Sequence, residues 1–133
     1  MKMRTIKFRG KDIRTGEWFF GNLFDKDIHG CTHICTTRKG CLNIDPSTVG
    51  QFTGLLDKNG TDIYEGDILM FREEENCNDT LVVMWDKGSF VAEYPNRGEG
   101  ACIRSNYFAA FPEMFRVVGN IHDNPELVKG GAE

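Results

Sequence analysis

Proline is scarce, at four in 133 residues, and no stretch approaches the roughly 18 consecutive apolar residues that a membrane-spanning helix needs. No membrane association is therefore expected. The basic opening, Met1 to Arg9, is not followed by the apolar segment of a secretory signal. The five cysteines (Cys31, Cys35, Cys41, Cys77 and Cys102) are odd in number and lack the spacing of a disulfide framework. Free thiols in a reducing cytoplasm are the expectation. Also missing are a phosphate-binding P-loop, a dinucleotide-binding glycine pattern, a HExxH zinc motif and a GxSxG nucleophile elbow. Cys35 could be set beside His33 or His122, but no local signature supplies the orienting group that nucleophilic catalysis requires. The chain is read as not an enzyme and as needing no cofactor.

What is present points to a packed β protein. Hydrophobic residues make up 40% and aromatics 11%, enough for a core. Fifteen glycines against four prolines favour short strands joined by tight turns over helices. The net charge of −4 gives no general attraction to nucleic acid. The charge is uneven, however: Lys2, Arg4, Lys7, Arg9, Lys11 and Arg14 crowd the first fourteen residues against a single Asp12. The simplest reading is a solvated edge strand, whose cations block unwanted pairing. A phosphate-contacting patch is the alternative.

Along the chain, Thr5 to Arg9 alternates apolar and basic residues, as a half-buried strand does. Glu17 to Phe24 reads as a second strand, with Trp18 and Phe20 on one face and Phe19 on the other. Gly21 inside it marks a bulge or a close backbone approach. A third strand is expected over 28–35 and a return over 41–44. Asp45-Pro46-Ser47 opens a short helical turn. Asp57-Lys58-Asn59-Gly60 and Glu65-Gly66-Asp67 are turns, the second launching a strand over 68–72. Residues 80–86 and 89–93 form a hairpin across Asp86-Lys87-Gly88, and 116–121 is the last strand. The segment 106–115 is aromatic and amphipathic, interrupted by Pro112. The fold class is therefore mainly β: an SH3-like small barrel over 51–121, an additional N-terminal β-subdomain over 1–50, one or two short helices, and a C-terminal turn and frayed tail over 122–133.

Three stretches carry a family resemblance. The tract Gln51-Phe52-Thr53-Gly54-Leu55-Leu56-Asp57-Lys58-Asn59-Gly60-Thr61-Asp62-Ile63-Tyr64-Glu65-Gly66-Asp67-Ile68 resembles the signature of the YopX family of phage and prophage proteins. The opening Ile6-Lys7-Phe8-Arg9-Gly10 through Gly16-Glu17-Trp18 is similar to the family's N-terminus. Val117-Val118-Gly119-Asn120-Ile121-His122-Asp123-Asn124-Pro125-Glu126-Leu127 is similar to its close. The sequence departs from the family at Leu56 and throughout 24–42. The resemblance implies a phage or prophage setting and no established activity. Within the central tract Gly54, Gly60 and Gly66 recur every six residues, so the motif reads first as fold-defining.

Candidate sites follow. Asp57, Lys58, Asn59, Tyr64 and Glu65 of the central tract, with Phe19, are the candidate partner-binding surface. Lys2, Arg4, Lys7, Arg9, Lys11 and Arg14 are the nucleic-acid alternative, beside aromatic strands that could stack bases. His29, Cys31, His33 and Cys35 alternate, but four same-face positions span about 20 Å and cannot all reach one ion. No metal is expected. The weaker zinc alternative is Cys31, His33 and Cys41. The sequence reading is thus an accessory protein of phage or prophage origin that acts as a homo-oligomeric protein-interaction module, binding itself or a host or phage protein. A nucleic-acid-binding accessory factor is the alternative.

Overall fold

A computed structural model describes residues 4–71, 80–95, 102–104 and 110–129. The chain divides into two units, Met1–Gly54 and Leu55–Glu133. Lys2, Cys77, Tyr107 and Phe108 lie outside the described residues.

In the first unit the strands are β1 (Phe8–Lys11), β2 (Trp18–Phe24), β3 (His33–Thr36) and β4 (Gly40–Asn43), followed by β5 (Gly50–Leu56), which runs across the unit boundary. Beyond a tight turn lies β6 (Asp62–Tyr64), and the sheet order is β4-β3-β2-β1-β5-β6. β1 pairs antiparallel with β2, placing Arg9 opposite Phe20 and Lys11 opposite Trp18. Past its end, Asp12 bridges Ile44, while Ile13 donates its N–H to the Asn43 carbonyl at 3.0 Å. The chain after β4 is thereby held against the end of β1. Ile34 and Ile44 are buried, and any Cβ on Gly10 would strike the Ile44 side chain. The helical start at Asp45 is a single 3-10 turn, Pro46–Thr48, with the Asp45 carboxylate accepting the Ser47 N–H.

The expected third strand over 28–35 begins only at His33. Asp27 is the reason. Its Oδ1 accepts the N–H groups of His29 (2.8 Å) and Cys31 (3.0 Å), and Gly30 sits at φ +79°, so the chain folds into a turn. His29 and Cys31 therefore leave the strand, and the four alternating His and Cys side chains do not share one strand face.

β3 and β4 form a hairpin in which Cys35 lies directly opposite Cys41, and the two are joined by a disulfide. The expectation of free thiols is overturned at this pair, because the register sets the two Cβ atoms against each other across non-adjacent positions of one hairpin. The bridge spans six residues of sequence. Reduction by an added dithiol, or Cys35→Ser, is expected to lower the first unit's stability by about 2 kcal/mol, the chain-entropy worth of so short a closed loop. Chemical denaturation with and without the dithiol measures it.

The second unit contains β7 (Asp67–Phe71), β8 (Thr80–Asp86), β9 (Ser89–Glu93), β10 (Cys102–Arg104) and β11 (Phe115–Asn120), in the sheet order β10-β9-β8-β7-β11. All described pairings are antiparallel. Of the described residues in 51–121, where an SH3-like barrel is expected, β5 and β6 lie in the first sheet and β7 to β11 in the second, and the class is mainly β in two antiparallel sheets. The β8–β9 hairpin turns where expected. Lys87 (φ 49°) and Gly88 (φ 88°) both hold the positive backbone angles of a two-residue type I′ connection. The unit's core is Ile63, Leu69, Leu81, Val83, Ala92 and Phe115, with Phe71 packed on Phe115 at 5.1 Å. A short helix α1 (Glu126–Lys129) follows Asn124-Pro125, and the Leu127 carbonyl accepts from the Thr80 hydroxyl at 3.1 Å.

Candidate interaction surface

The central tract is a set of backbone anchors. Asp57 is buried, and its carboxylate accepts three N–H groups: Asn59 (2.8 Å) and Thr61 (2.9 Å) on Oδ1, and Val117 of β11 (2.9 Å) on Oδ2. Lys58 donates its N–H to the Phe115 carbonyl at 3.0 Å. Asp67, 2% exposed, accepts the Tyr64 N–H at 2.7 Å, and Tyr64 is itself 3% exposed. Of the candidate partner-binding residues, then, Asp57 and Tyr64 are enclosed by the fold. Lys58 and Asn59 are exposed at the turn, and Glu65 is half-buried.

The basic and aromatic residues of β1 and β2 come together on one side of their sheet, as strand alternation requires. The Arg9 guanidinium lies 4.7 Å from the Trp18 ring centre, and the Lys11 ammonium lies 5.3 Å from the same ring. Lys7 stands 4.7 Å from the centre of Phe52. These are cation–π contacts within the protein, and Arg9 is buried. Arg4 and Arg14 are exposed. Phe19, on the opposite side of β2, is half-buried with the Lys39 ammonium 5.1 Å from its ring. The large apolar residues that stand out from β2 are Phe20 (49% exposed) and Phe24 (55%), two positions sequence reasoning had not selected. Alternation alone put Phe20 beside Trp18. The cation–π contacts set Arg9 and Lys11 over Trp18, while Phe20, across the pair from Arg9, keeps about half of its surface exposed.

The zinc set is taken apart. Cys41 is in the disulfide, Cys31 is a half-buried free thiol, and His33 gives its Nε2 to Asp27 Oδ2 at 2.8 Å. No three His, Cys, Asp or Glu side chains gather for a metal among the described residues. Asp27 was also missed, although a signal for it was present. Asp27-Ile28-His29-Gly30-Cys31 repeats the spacing of Asp57-Lys58-Asn59-Gly60-Thr61, and the hydrogen bonds made within each turn, backbone and Oδ1, are the same.

The His33 hydrogen bond, then the Cys31 N–H, hold the Asp27 carboxyl well below its usual 3.8, at about 2. A depressed carboxylate contributes stability above its unfolded value, and that contribution is lost as pH falls through the folded one. Acidifying from pH 3.8 toward about 2 is therefore expected to release the Asp27 turn. Amide exchange at His29 and Cys31, followed by NMR, should quicken across that window; unchanged protection at both would contradict the assignment.

The fold and the surface together define a mainly-β protein of two units, in which aspartate-centred turns fix short antiparallel strands. The YopX protein family matches residues 7–129, and the chain belongs to that family. No curated protein matches. Among solved structures, the chain is similar to the crystal structure of protein EF1440 from Enterococcus faecalis. The identity is 24% and the TM-score 0.59, over 95% of this chain and 99% of that one, a likeness of fold.

Proposed function

We propose that this chain is a non-enzymatic interaction module of phage or prophage origin that acts in the bacterial cytoplasm and self-associates through the open face of β2. One observation carries the reading: Phe20 and Phe24, four residues apart on one strand, both leave about half of a large ring in solvent. Paired exposed aromatics of this kind are the usual anchors of a protein interface. A second copy meeting the same face would give a two-fold, self-complementary contact. Light scattering on the full chain tests it. An oligomer that Phe20→Ser with Phe24→Ser converts to monomer supports the reading; a wild-type monomer across the accessible concentration range overturns it.

A second reading, a nucleic-acid-binding accessory factor, is favoured by Lys7, Arg9 and Lys11 lying on the same side as Phe20. It is weakened because those three cations already rest on the protein's own rings. Its test is a salt-dependent shift of single-stranded DNA or RNA, lost in Arg4→Gln with Arg14→Gln.

A further inference from the structure

Strand register puts the Cys35–Cys41 bridge on the solvent side of the first sheet. Cys35 lies opposite Asn22 of β2 and opposite Cys41 of β4, and directly paired residues project from one side. Asn22 and Cys41 are exposed, whereas Ile34, which projects from the other side, is fully buried. The two sulfurs differ in their surroundings. Cys35 is half-buried on an inner strand, flanked by β2 and β4. Cys41 is exposed on β4, the last strand of the sheet, with β3 as its strand neighbour. A thiolate attacks a disulfide sulfur from the side away from the sulfur that leaves. At Cys41 that side is the sheet edge. At Cys35 it is β2, with Asn22 directly across.

The charge around the bridge favours the leaving group. Residues 28–44 contain no Asp or Glu, and Arg38 and Lys39 lie between the two cysteines. The aspartates that flank this stretch are engaged, Asp27 with the His33 ring and Asp45 with the Ser47 N–H. Arg14 lines the same cleft as Cys41. Nearby cations stabilise a departing thiolate, and a better leaving thiolate speeds exchange. Exposed bridges are the labile ones, in contrast to enclosed structural bridges. Opening this one has a local consequence. β4 is four residues long, and its far end stays tied by the Ile13 N–H on the Asn43 carbonyl. The residues released are those around the turn, 37–41.

We propose that Cys35–Cys41 is an exchange-active bridge, a redox switch worked by external dithiols, with Cys41 as the sulfur attacked. A thiolate of the dithiol forms a mixed disulfide with Cys41 Sγ, and Cys35 leaves as a thiolate. The second thiolate of the reagent then closes onto its own first sulfur and releases Cys41. The bridge gains two electrons and the two cysteines take up two protons; the dithiol loses both and becomes a cyclic disulfide. That cyclic disulfide is the oxidant of the reverse reaction. The loosened hairpin adjoins His33, whose ring meets the Phe24 ring at 6.4 Å between centres, so the surface beside Phe24 changes with redox state. The switch does not depend on self-association through Phe20 and Phe24, and each can fail while the other stands.

The experiment uses the full chain in native buffer with dithiothreitol, the thiols being mapped by alkylation and peptide mass spectrometry. Expected is reduction of Cys35–Cys41 at a rate within about tenfold of that in denaturant, reversed by oxidised dithiothreitol. On reduction the amide resonances of 35–41 should shift, while those of the core around Phe115 stay in place. The attacked sulfur is read in two ways. With limiting glutathione, the trapped wild-type intermediate should carry glutathione on Cys41 and a free thiol on Cys35. In the single variants, Cys41 in Cys35→Ser should react with glutathione disulfide at least about tenfold faster than Cys35 in Cys41→Ser. Reduction that needs denaturant, unshifted resonances over 35–41, or glutathione trapped on Cys35 would each overturn the proposal; the wild-type readings stand even where a variant fails to fold.

Discussion

Replacing Asp57 with alanine is expected to destabilise the protein by about 4 kcal/mol, measured by chemical denaturation. Three backbone N–H groups lose their acceptor at once, those of Asn59, Thr61 and Val117. Hydrogen bonds to a charged group contribute about 1.5–3 kcal/mol each, and a buried donor left unpaired costs about 1–3 kcal/mol. Two of the three donors sit in an exposed turn and can return to water, so the full sum is not reached. The Val117 N–H belongs to β11, where the half-buried position limits replacement of the carboxylate by water. Asp57→Asn keeps an oxygen for the turn and presents an amide nitrogen, a donor, where Val117 needs an acceptor. It should fall roughly midway. Asp27→Ala, at the equivalent position of the matching turn, should cost less, because its third partner is the His33 side chain and not the backbone N–H of another strand. A cost at Asp57 no greater than at Asp27 would show that the link to β11 carries no weight.

That contrast marks what the sequence could and could not convey. Local chemistry was legible. Asp45-Pro46, Asp57 to Gly60, Lys87-Gly88 and Asn124-Pro125 all do what their residue types dictate, since turn geometry is decided within four or five residues. The strands over 80–86 and 89–93 were placed to the residue for the same reason. Long-range pairing was not legible. Nothing in the tract 51–64 announces that β5 and β6 join the first sheet. The anchoring of Asp57 to Val117 spans sixty residues. The cysteines were misjudged because composition speaks to compartment and not to register, and register is what sets Cys35 opposite Cys41. At the candidate surface, alternation gave the correct sides of β2 but not which side its neighbours would cover. Phe19 was chosen where Phe20 and Phe24 are open, because the covering cations come from β1 and from Lys39.

The glycine inside β2 ties these levels together, and Gly21→Ala should have the second largest effect, about 3 kcal/mol by chemical denaturation. Its backbone is ordinary, so no turn requires glycine there. The constraint is proximity. A methyl group on Gly21 would run into the carbonyl oxygen of Cys35, with the carbonyl carbon 3.1 Å away and the Ile34 side chain 3.4 Å away. The obstacle is backbone, which cannot rotate aside as a side chain does, so β2 and β3 must separate. Over-packing of this sort costs about 1–3 kcal/mol, and a rigid neighbour puts the change at the upper end. The displaced strand carries His33 and Cys35, so the β3–β4 hairpin should move with it. Gly21→Ala is therefore expected to shift the amide resonances of 33–36 and 40–43 while leaving the core around Phe115 in place. If the alanine variant matched the wild type in stability and in those resonances, the contact between β2 and β3 at this point would have to be looser than its pairing implies.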